Sequence, residues 1–470
     1  MEIIQQITPE INPLSGPQTA AENRAQPAPQ AGEAAYSVKI SNLPSVQQKK
    51  LDTSTLRIVR YRRQAEARKL LPDQPVAWCC RRVAIDPETR RRLDNLPIKK
   101  SASSEHFYTG GHWACHSNPC PVCQARRAGV FLGRLLPALE VNAARFIYGM
   151  DTLTASTNAA MTAGDFVPKF KRALSRFTGG RWWADFRERW HIRGWVTGQD
   201  FTQKSHGPHF HIHRLIIMDR APFFVDRPSR RALNANILLA ARWAAFDWNV
   251  TSIAVLQGID KTAAALMHAD AAQRWVNCCE AEGLIADLDY GYHIEGGDHK
   301  VAHYIAKLAL EVTQSGNKRG RGGWTLGELL DQSARGNRQA GDFWRQAQEA
   351  LKGTAILRAS KGLWALLEVE EPTDADLAAG DQTSFDELIA LLPVEDWYAI
   401  LNDDRREEYF AALCLDDLKS LQDFARSAGV RLYAPDAQNA LQSFKDAQGG
   451  NYKLINVDLD NLISFADFDF

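Results

Sequence analysis

The sequence lacks any segment long enough to cross a membrane as a helix. No run of 18 or more apolar residues occurs, the length from which a spanning helix is expected. The first residues, Met1–Gln6, do not combine a basic segment with an apolar one, so a secretory signal is not predicted. We therefore expect no membrane partner.

The sequence also lacks the cysteine pattern of a disulfide framework. Its 8 cysteines include two adjacent pairs and one close triplet: Cys79-Cys80, Cys278-Cys279, and Cys115, Cys120 and Cys123. Clustering of this kind is typical of metal binding in a reducing compartment. The sequence therefore predicts a cytoplasmic protein.

The 470-residue chain has no net charge, with 56 basic and 56 acidic residues, but the charge is unevenly distributed. Residues 368–470 contain 23 acidic and 7 basic residues, a balance of −16, which leaves +16 for residues 1–367. A basic body with an acidic tail indicates a polyanionic partner for the body. A chance difference between unrelated domains is the alternative.

Composition divides the chain into four regions. Residues 1–48, rich in Pro, Ala, Gln and Ser, are predicted to be a disordered tail, and residues 49–140 a basic subdomain. Residues 141–367 carry the main motifs, and residues 368–470 form an acidic, mostly helical region, with helical patterns at 385–392 and 407–421. The arginines of the basic subdomain suit either phosphate contact or a solvated surface; they are Arg57, Arg60, Arg62, Arg63, Arg81, Arg82, Arg90, Arg91 and Arg92.

A cysteine-rich knuckle follows in the basic subdomain. Cys115, Cys120 and Cys123 supply three thiolates, and tetrahedral zinc requires a fourth ligand. Cys79 is our choice for it, with Cys80, His112 and His116 as alternatives. Redox chemistry is the competing interpretation of Cys-x-x-Cys, but no thioredoxin-like context surrounds this one. The sequence therefore predicts structural Zn²⁺.

Residues 165–190 are predicted to be helical and mix cationic with aromatic side chains. Such mixing suits single-stranded nucleic acid, in which bases stack and phosphates pair with cations. The aromatic residues could equally form the core face of the helix. The candidate DNA-binding residues are Lys169, Arg172, Arg176, Arg181 and Trp182.

Three histidines alternate along a predicted strand at residues 205–218. A period of two places His209, His211 and His213 on one face, where neutral imidazoles can share a divalent metal ion. Residues 192–202 form the preceding strand of a hairpin, which is expected to bring Asp200 close to His209. Two imidazoles and one carboxylate would suit Mg²⁺ or Mn²⁺.

A predicted helix at residues 298–311 carries Tyr304 and Lys307 on one face. A tyrosine can attack phosphorus when a metal ion polarises the phosphate, and a neighbouring lysine can lower its pKa or bind the oxyanion. An exposed amphipathic turn is the alternative interpretation.

Taken in order, these motifs resemble the rolling-circle replication initiators of plasmids and some phages, a branch of the His-hydrophobe-His (HUH) endonucleases. The resemblance covers residues 79–367. The matching segments are the knuckle at Cys120–Cys123 with Arg126-Arg127, Thr152-Leu-Thr154, 194–202, Gly207-Pro-His209-Phe-His211, Tyr304-x-x-Lys307, and the C-terminal block 324–330, 341–344 and 360–363.

The resemblance implies an α+β fold in which an antiparallel sheet carries the histidine strand and is flanked by helices. It implies that His209, His211 and Asp200 bind Mg²⁺ or Mn²⁺. His213 would lie beyond the reach of the metal ion and support these ligands. Tyr304 would attack single-stranded origin DNA to form a 5′-phosphotyrosine and release a 3′-OH primer, with Lys307 assisting. A bacterial host helicase and replisome are the implied partners.

The chain departs from the family pattern at two positions. Lys300 stands where some members have a glutamate or second tyrosine that resolves the last intermediate. Asp200 stands where glutamate is common. Other candidates for the resolving step lie nearby: Tyr290, Tyr292, Glu295 and Asp298.

Two other functional classes fit part of the sequence. A histidine-triad nucleotide hydrolase shares the alternating histidines, but Arg214 interrupts its motif. A non-enzymatic, zinc-dependent DNA-binding protein explains the knuckle and the basic body but leaves the histidine strand without a role. A related transposase or plasmid relaxase has closer chemistry.

Overall fold

The chain has an α+β structure with antiparallel sheets, which confirms the predicted class. The computed structural model describes residues 45–85, 90–102, 104–158, 160–219, 261–297, 323–373 and 386–435, without the side chains of 45–53, 261–266 and 295–297. The prediction for residues 1–48 therefore lies almost entirely outside the described residues. Within these ranges, no helix combines the length and apolar character needed to cross a membrane.

The described strands and helices are mixed along the chain. The strands are β1 (Asn95–Lys100), β2 (Phe107–Thr109), β3 (Phe146–Thr154), β4 (Ile192–Lys204), β5 (Gly207–Asp219), β6 (Tyr292–Gly297), β7 (Gly323–Thr325), β8 (Leu357–Ala359) and β9 (Glu387–Pro393). The α-helices are α1 (Ser45–Leu70), α2 (Pro121–Val141), α3 (Ala163–Phe177), α4 (Gly180–Arg189), α5 (Lys261–Glu280), α6 (Leu326–Ala334), α7 (Arg338–Ala350), α8 (Leu363–Leu366), α9 (Val394–Asn402), α10 (Arg406–Leu413) and α11 (Leu418–Ala428).

The larger sheet has the strand order β6-β3-β5-β4-β7, with β8 also paired to β4. The predicted histidine strand is β5, which lies between β3 and β4. A two-residue turn, Ser205-His206, joins β4 to β5, because Lys204 pairs with Gly207. Gly207 has φ +118, and a Cβ there would lie 2.5 Å from the Asn158 carbonyl oxygen, so this position requires glycine.

The register of this hairpin differs from the expected one. Asp200 pairs with His211, and Thr202 pairs with His209, so Asp200 does not lie directly beside His209. The difference arises because the turn contains only two residues, whereas the expected turn spanned residues 204–208. Directly paired residues share a face, so Asp200 and the histidines still belong to the same side of the sheet.

Helices cover the face of the sheet opposite the histidines. Phe170 of α3 contacts Phe210 of β5 and Trp275 of α5, with 5.1 Å between ring centroids in both pairs. The predicted single helix at 165–190 is two helices, because Thr178 and Gly179 lie between α3 and α4, and Gly180, the first residue of α4, has φ +73. The buried aromatic residues of both helices form core.

We call the other side of the sheet the histidine face; it carries His209, His211, His213, Leu215 and Ile217 of β5. Its apolar end, Leu215 and Ile217, is packed under α2 and α8 in one buried cluster. The polar end carries the three histidines and their neighbours on β3 and β4. The face is therefore divided along its length into a core half and a half made of polar side chains.

A smaller sheet, β2-β1-β9, joins the basic segment to the acidic region. The sequence predicts a helix at residues 385–392, but within the described part of this range residues 387–392 form most of β9, which pairs antiparallel with β1. A short apolar run such as Leu388–Leu392 suits either structure locally, and pairing with β1 decides the outcome. The second helical pattern, 407–421, is confirmed in part by α10 and α11.

A buried ion pair connects β3 and β5 on the face opposite the histidines. Arg214 Nε donates to Asp151 Oδ1 at 2.8 Å, and the two side chains are 1% and 0% exposed. Tyr292 of β6 also donates its hydroxyl to Asp151, at 3.2 Å. One carboxylate therefore bridges three adjacent strands.

We expect Asp151→Ala to lower the free energy of unfolding by about 3–5 kcal/mol, because it leaves Arg214 buried without its counter-ion. Asp219→Ala is a matched control: its pair with Arg193, at 2.5 Å, leaves that arginine 56% exposed, and its loss should cost about 0–1 kcal/mol. Urea unfolding monitored by circular dichroism measures both. Equal losses in the two variants would contradict a stabilising role for the buried pair.

Candidate functional site

Four cysteines form a compact cluster beside the N-terminus of α2. The Sγ atoms of Cys79, Cys115, Cys120 and Cys123 lie within 4.8 Å of one another. Individual separations are 3.5 Å for Cys79–Cys123, 3.6 Å for Cys79–Cys120 and 3.7 Å for Cys115–Cys123. Thiolates about 2.3 Å from a tetrahedral zinc ion lie about 3.8 Å apart, which these separations match. The cluster could therefore hold a structural metal ion such as zinc.

Neighbouring N–H groups donate hydrogen bonds to two of the four sulfur atoms. Gln64 of α1 donates its side-chain amide to Cys120 Sγ at 3.1 Å, and the backbone N–H of Cys123 donates to the same atom at 3.5 Å. The backbone N–H of Cys115 donates to Cys79 Sγ at 3.5 Å. Hydrogen bonds of this kind favour thiolates, and Cys120 also caps α2, whose N-terminus favours negative charge.

The structure selects Cys79 among the four candidates for the fourth ligand. Cys80 has φ 53 and is not a member of the cluster, although its Sγ lies 3.8 Å from that of Cys79. His112 packs against Trp397, with 4.4 Å between ring centroids, and burial lowers its pKa to about 3. His116 is also outside the cluster.

The three histidines of β5 lie in a row on the histidine face. Ring centroids are 3.9 Å apart for His209 and His211, and 5.9 Å apart for His211 and His213. Threonines of β3 bind two of the rings: Thr154 Oγ1 lies 2.8 Å from His211 Nδ1, and Thr152 Oγ1 lies 2.9 Å from His213 Nδ1. For His211, an Nδ1–H that donates to Thr154 leaves the Nε2 lone pair for a metal ion.

His209 has a different environment from the other two histidines. Its Nδ1 atom is buried and has no hydrogen-bond partner in the described part of the chain. Burial, together with the nearby Lys204, lowers its pKa to about 4. Burial also holds the pKa of His211 well below its usual value. Both imidazoles are therefore neutral near pH 7, the form that binds metal ions.

The predicted three-ligand set is only partly assembled. Within the described ranges, the cysteine cluster is the only group that brings three or more ligand atoms of His, Cys, Asp or Glu within 4.8 Å of one another. Asp200 lies opposite His211 in the sheet but does not complete such a group with His209 and His211. Its role as a ligand stays a prediction, as does the binding of Mg²⁺ or Mn²⁺.

A fourth histidine of this face was missed from the sequence. His293 of β6 pairs with Thr152, which in turn pairs with His213, so all three side chains share one row across the sheet. The spacing of residues 292–297 did not indicate a strand on its own, because the segment is short and glycine-rich. Only the non-local pairing reveals its position.

The predicted nucleophile Tyr304 and its neighbour Lys307 lie outside the described residues, as do Asp298 and Lys300. The side chain of Glu295 is also outside the description. Of the nearby tyrosines, Tyr292 is fully buried against Asp151 on the face opposite the histidines, so it is not placed to act beside them. Tyr290 is 74% exposed.

The candidate DNA-binding side chains lie on the opposite face from the histidines. Arg172 and Arg176 of α3 both bind Glu282, at 2.6 Å each. Arg181 is 94% exposed near Asp185, and the Trp182 ring stacks on Phe186 with 4.8 Å between centroids. Lys169 is half-buried on α3. Their contact with nucleic acid stays a prediction, and their location separates it from the histidine face.

Comparisons with protein-family models, with characterised proteins and with solved structures find no match for this chain. The function of the chain must therefore be inferred from its own residues. The cysteine cluster and the histidine face are the two features of the chain on which a proposal can be based.

We expect the purified protein to contain about one zinc ion per chain, as a four-thiolate site requires. Cys79→Ser should reduce the bound zinc, whereas Cys80→Ser, its matched neighbour, should retain it. Atomic emission spectroscopy after extensive dialysis measures the stoichiometry. Full retention of zinc in the double variant Cys120→Ser/Cys123→Ser would show that the cluster is not the zinc site.

We expect acid destabilisation to depend on His209. In the unfolded chain its pKa is about 6.5, whereas the folded value is about 4. Between these values the unfolded state binds more protons, so stability falls as the pH is lowered from 6.5 towards 4.

His209→Gln should therefore lose less stability than the parent protein between pH 7 and pH 5, measured by urea unfolding with EDTA present. His206→Gln, in the exposed hairpin turn, should behave like the parent. An unchanged pH dependence in His209→Gln would show that this imidazole is not held neutral by the fold.

Proposed function

We propose that this protein is a rolling-circle DNA replication initiator, a metal-dependent HUH-type endonuclease that nicks and rejoins single-stranded origin DNA. One observation carries the proposal: two neutral imidazoles, His209 and His211, lie side by side in the middle of an antiparallel sheet, with 3.9 Å between ring centroids. This arrangement agrees with the motif order that the sequence shares with that family.

The histidine pair fits a divalent metal ion in its donor chemistry. His211 is oriented through Nδ1 by Thr154, and His209 Nδ1 is a buried polar atom without a partner in the described part of the chain. A buried polar atom of this kind costs free energy unless something binds it. When bound, Mg²⁺ or Mn²⁺ would supply Lewis-acid polarisation of a phosphate.

Tyr304 is the proposed nucleophile. Its phenolic oxygen would form a bond to phosphorus while the bond from phosphorus to the 3′ oxygen of the upstream nucleotide breaks. The products are a 5′-phosphotyrosine and a 3′-OH that takes up the proton and can prime synthesis. Lys307, one helical turn away in the predicted helix, would bind the phenolate or the charged phosphate oxygens.

The topology of the described strands supports this pairing of residues. β6 and β7 flank the segment 298–322 in sequence and lie at opposite ends of the larger sheet, with the histidine strand between them. The segment that contains Tyr304 therefore joins two strands of the same sheet that displays the histidines. Asp200 is the proposed third ligand. His213, which is hydrogen-bonded to Thr152 and lies next to His211 in the row, is proposed to support the site without binding the metal ion.

The cysteine cluster would have a structural role in such an enzyme. It joins α1, through Gln64, to the N-terminus of α2. Host helicase and replisome proteins in a bacterial cytoplasm remain the partners that the resemblance suggests. The residue that resolves the final intermediate is open, since Lys300 occupies the usual position.

The test is a covalent-adduct assay with the purified chain, Mn²⁺ and labelled single-stranded DNA containing its origin. A protein–oligonucleotide band that survives denaturation should form with the parent protein and disappear in Tyr304→Phe, because only the phenolic oxygen can form the bond to phosphorus. Tyr290→Phe, which alters an exposed tyrosine, should form the adduct normally.

Other outcomes distinguish the alternatives. DNA binding without any adduct would favour a non-enzymatic, zinc-dependent DNA-binding protein. Nucleotide hydrolysis that depends on His209 and His211 but forms no oligonucleotide adduct would favour a histidine-triad hydrolase. An adduct that persists in Tyr304→Phe would exclude this tyrosine as the nucleophile.

A further inference from the structure

A cavity of about 270 Å³ lies next to the cysteine cluster, bounded by α1, the first turns of α2 and the loop between β1 and β2. Three arginines line it: Arg57, Arg60 and Arg126. Aromatic rings of Phe107 and Tyr108 also contribute to its wall. None of its lining residues belongs to β3, β4 or β5, so the cavity is not part of the histidine face.

One of the three arginines already has its counter-ion. Arg57 Nη1 binds Asp416 Oδ1 at 2.6 Å. Asp416 also accepts the backbone N–H of Phe107 and lies 2.7 Å from His106 Nδ1. This carboxylate is fully buried by its partners. Arg57 therefore has a structural role, and Asp416 is already engaged with Arg57, Phe107 and His106.

Arg60 has no such counter-ion among the described residues. Its Nε atom is buried and has no hydrogen-bond partner among the side chains and backbone that the structure describes. The charged side chain that acts on it most strongly is the cationic Arg57, and the two groups that follow, Tyr61 and Cys414, are kept neutral by burial, which raises the pKa of each. Arg63, a second cation nearby, is itself bound to Asp331 at 2.6 Å. A guanidinium that has a buried, unpaired N–H and cationic neighbours is destabilised unless an anion joins it.

Arg126 adds a second positive charge to the same wall. An arginine guanidinium stays cationic at neutral pH, and Arg126 lines the cavity beside Arg60. The other nearby carboxylate, Asp386, accepts hydrogen bonds from Tyr108 and the backbone of Ala102. Neither Asp416 nor Asp386 lines the cavity itself, and both already have partners.

A glycine keeps the cavity open. Gly129 lies inside α2 and lines the cavity, and a Cβ built there would meet no atom within 4 Å. Glycine inside a helix costs about 1 kcal/mol relative to alanine. A larger side chain at this position would project into free space without disturbing packed neighbours.

We propose that this cavity is a phosphate-binding site, in which Arg60 and Arg126 bind the phosphate group of a nucleotide or of nucleic acid. Guanidinium groups bind phosphate oxygens through paired N–H donors, and the aromatic wall suits a sugar or base attached to that phosphate. The site is separate from the histidine face and does not depend on the nicking function.

The test is isothermal titration calorimetry of the full chain with three probes: inorganic phosphate, a nucleoside 5′-monophosphate and a single-stranded oligonucleotide. We expect Arg60→Met to weaken binding by about tenfold or more, as loss of a charge-assisted hydrogen bond implies. Arg62→Met removes the same charge from an exposed position on the same helix and should bind normally.

A second pair of variants tests the cavity without removing any charge. Gly129→Leu should block binding while α2 stays folded. Gly133→Leu, one turn further along α2 and also free of neighbours within 4 Å, does not line the cavity and should bind normally. Circular dichroism confirms that both variants remain helical.

The probe identifies the source of the phosphate. Binding of the monophosphate that depends on Arg60 indicates a nucleotide, and Arg60-dependent binding of the oligonucleotide alone indicates a DNA backbone. The proposal is overturned if none of the probes binds in an Arg60-dependent way, or if Gly129→Leu binds as well as the parent. Loss of adduct formation in the Tyr304 assay would have no bearing on these outcomes.

Discussion

The antiparallel pairing of β4 with β5 is the constraint on which the histidine face depends. A two-residue turn sets the register of the two strands. The positive φ of Gly207, the first residue of β5, fixes which side chains of β5 point to which face of the sheet. Because side chains alternate along a strand, a shift of one residue would turn every imidazole to the helix-covered face. The same turn places Asp200 opposite His211. Turn length therefore determines which polar groups can meet.

The polar side chains of the larger sheet are held by an ion pair on one face and by neutral hydrogen bonds on the other. On the covered face, one buried carboxylate, Asp151, binds Arg214 and Tyr292, and so connects β3, β5 and β6. On the histidine face, hydroxyl groups of β3 orient imidazoles that remain uncharged. Ionic pairing connects the strands on one face, and neutral hydrogen bonds orient the imidazoles on the other. The buried ion pair and the neutral imidazoles thus lie on separate faces of one sheet.

Local patterns predicted the parts of this structure that depend on local geometry. The alternation of histidines indicated a strand, and the close spacing of three cysteines indicated a metal cluster. Whether Cys79 or Cys80 completes the cluster depends on the backbone turn at Cys80, which spacing alone does not reveal. The strand β9 and the position of His293 depend on pairing with distant segments. The arginines of the basic segment were equivalent in the sequence, and only their buried partners distinguish them.

The two paired strands β1 and β9 of the smaller sheet are synthesised at very different times. Its central strand, β1, pairs with β9, and Asn95 meets Pro393 across 298 residues of sequence. At about 5–20 residues per second, synthesis of that interval takes on the order of 15–60 s. During this time the cysteines, separated by at most 44 residues, can already gather, while one edge of β1 stays without its partner. Unpaired strand edges favour aggregation, so β1 is exposed to that risk until β9 has been synthesised.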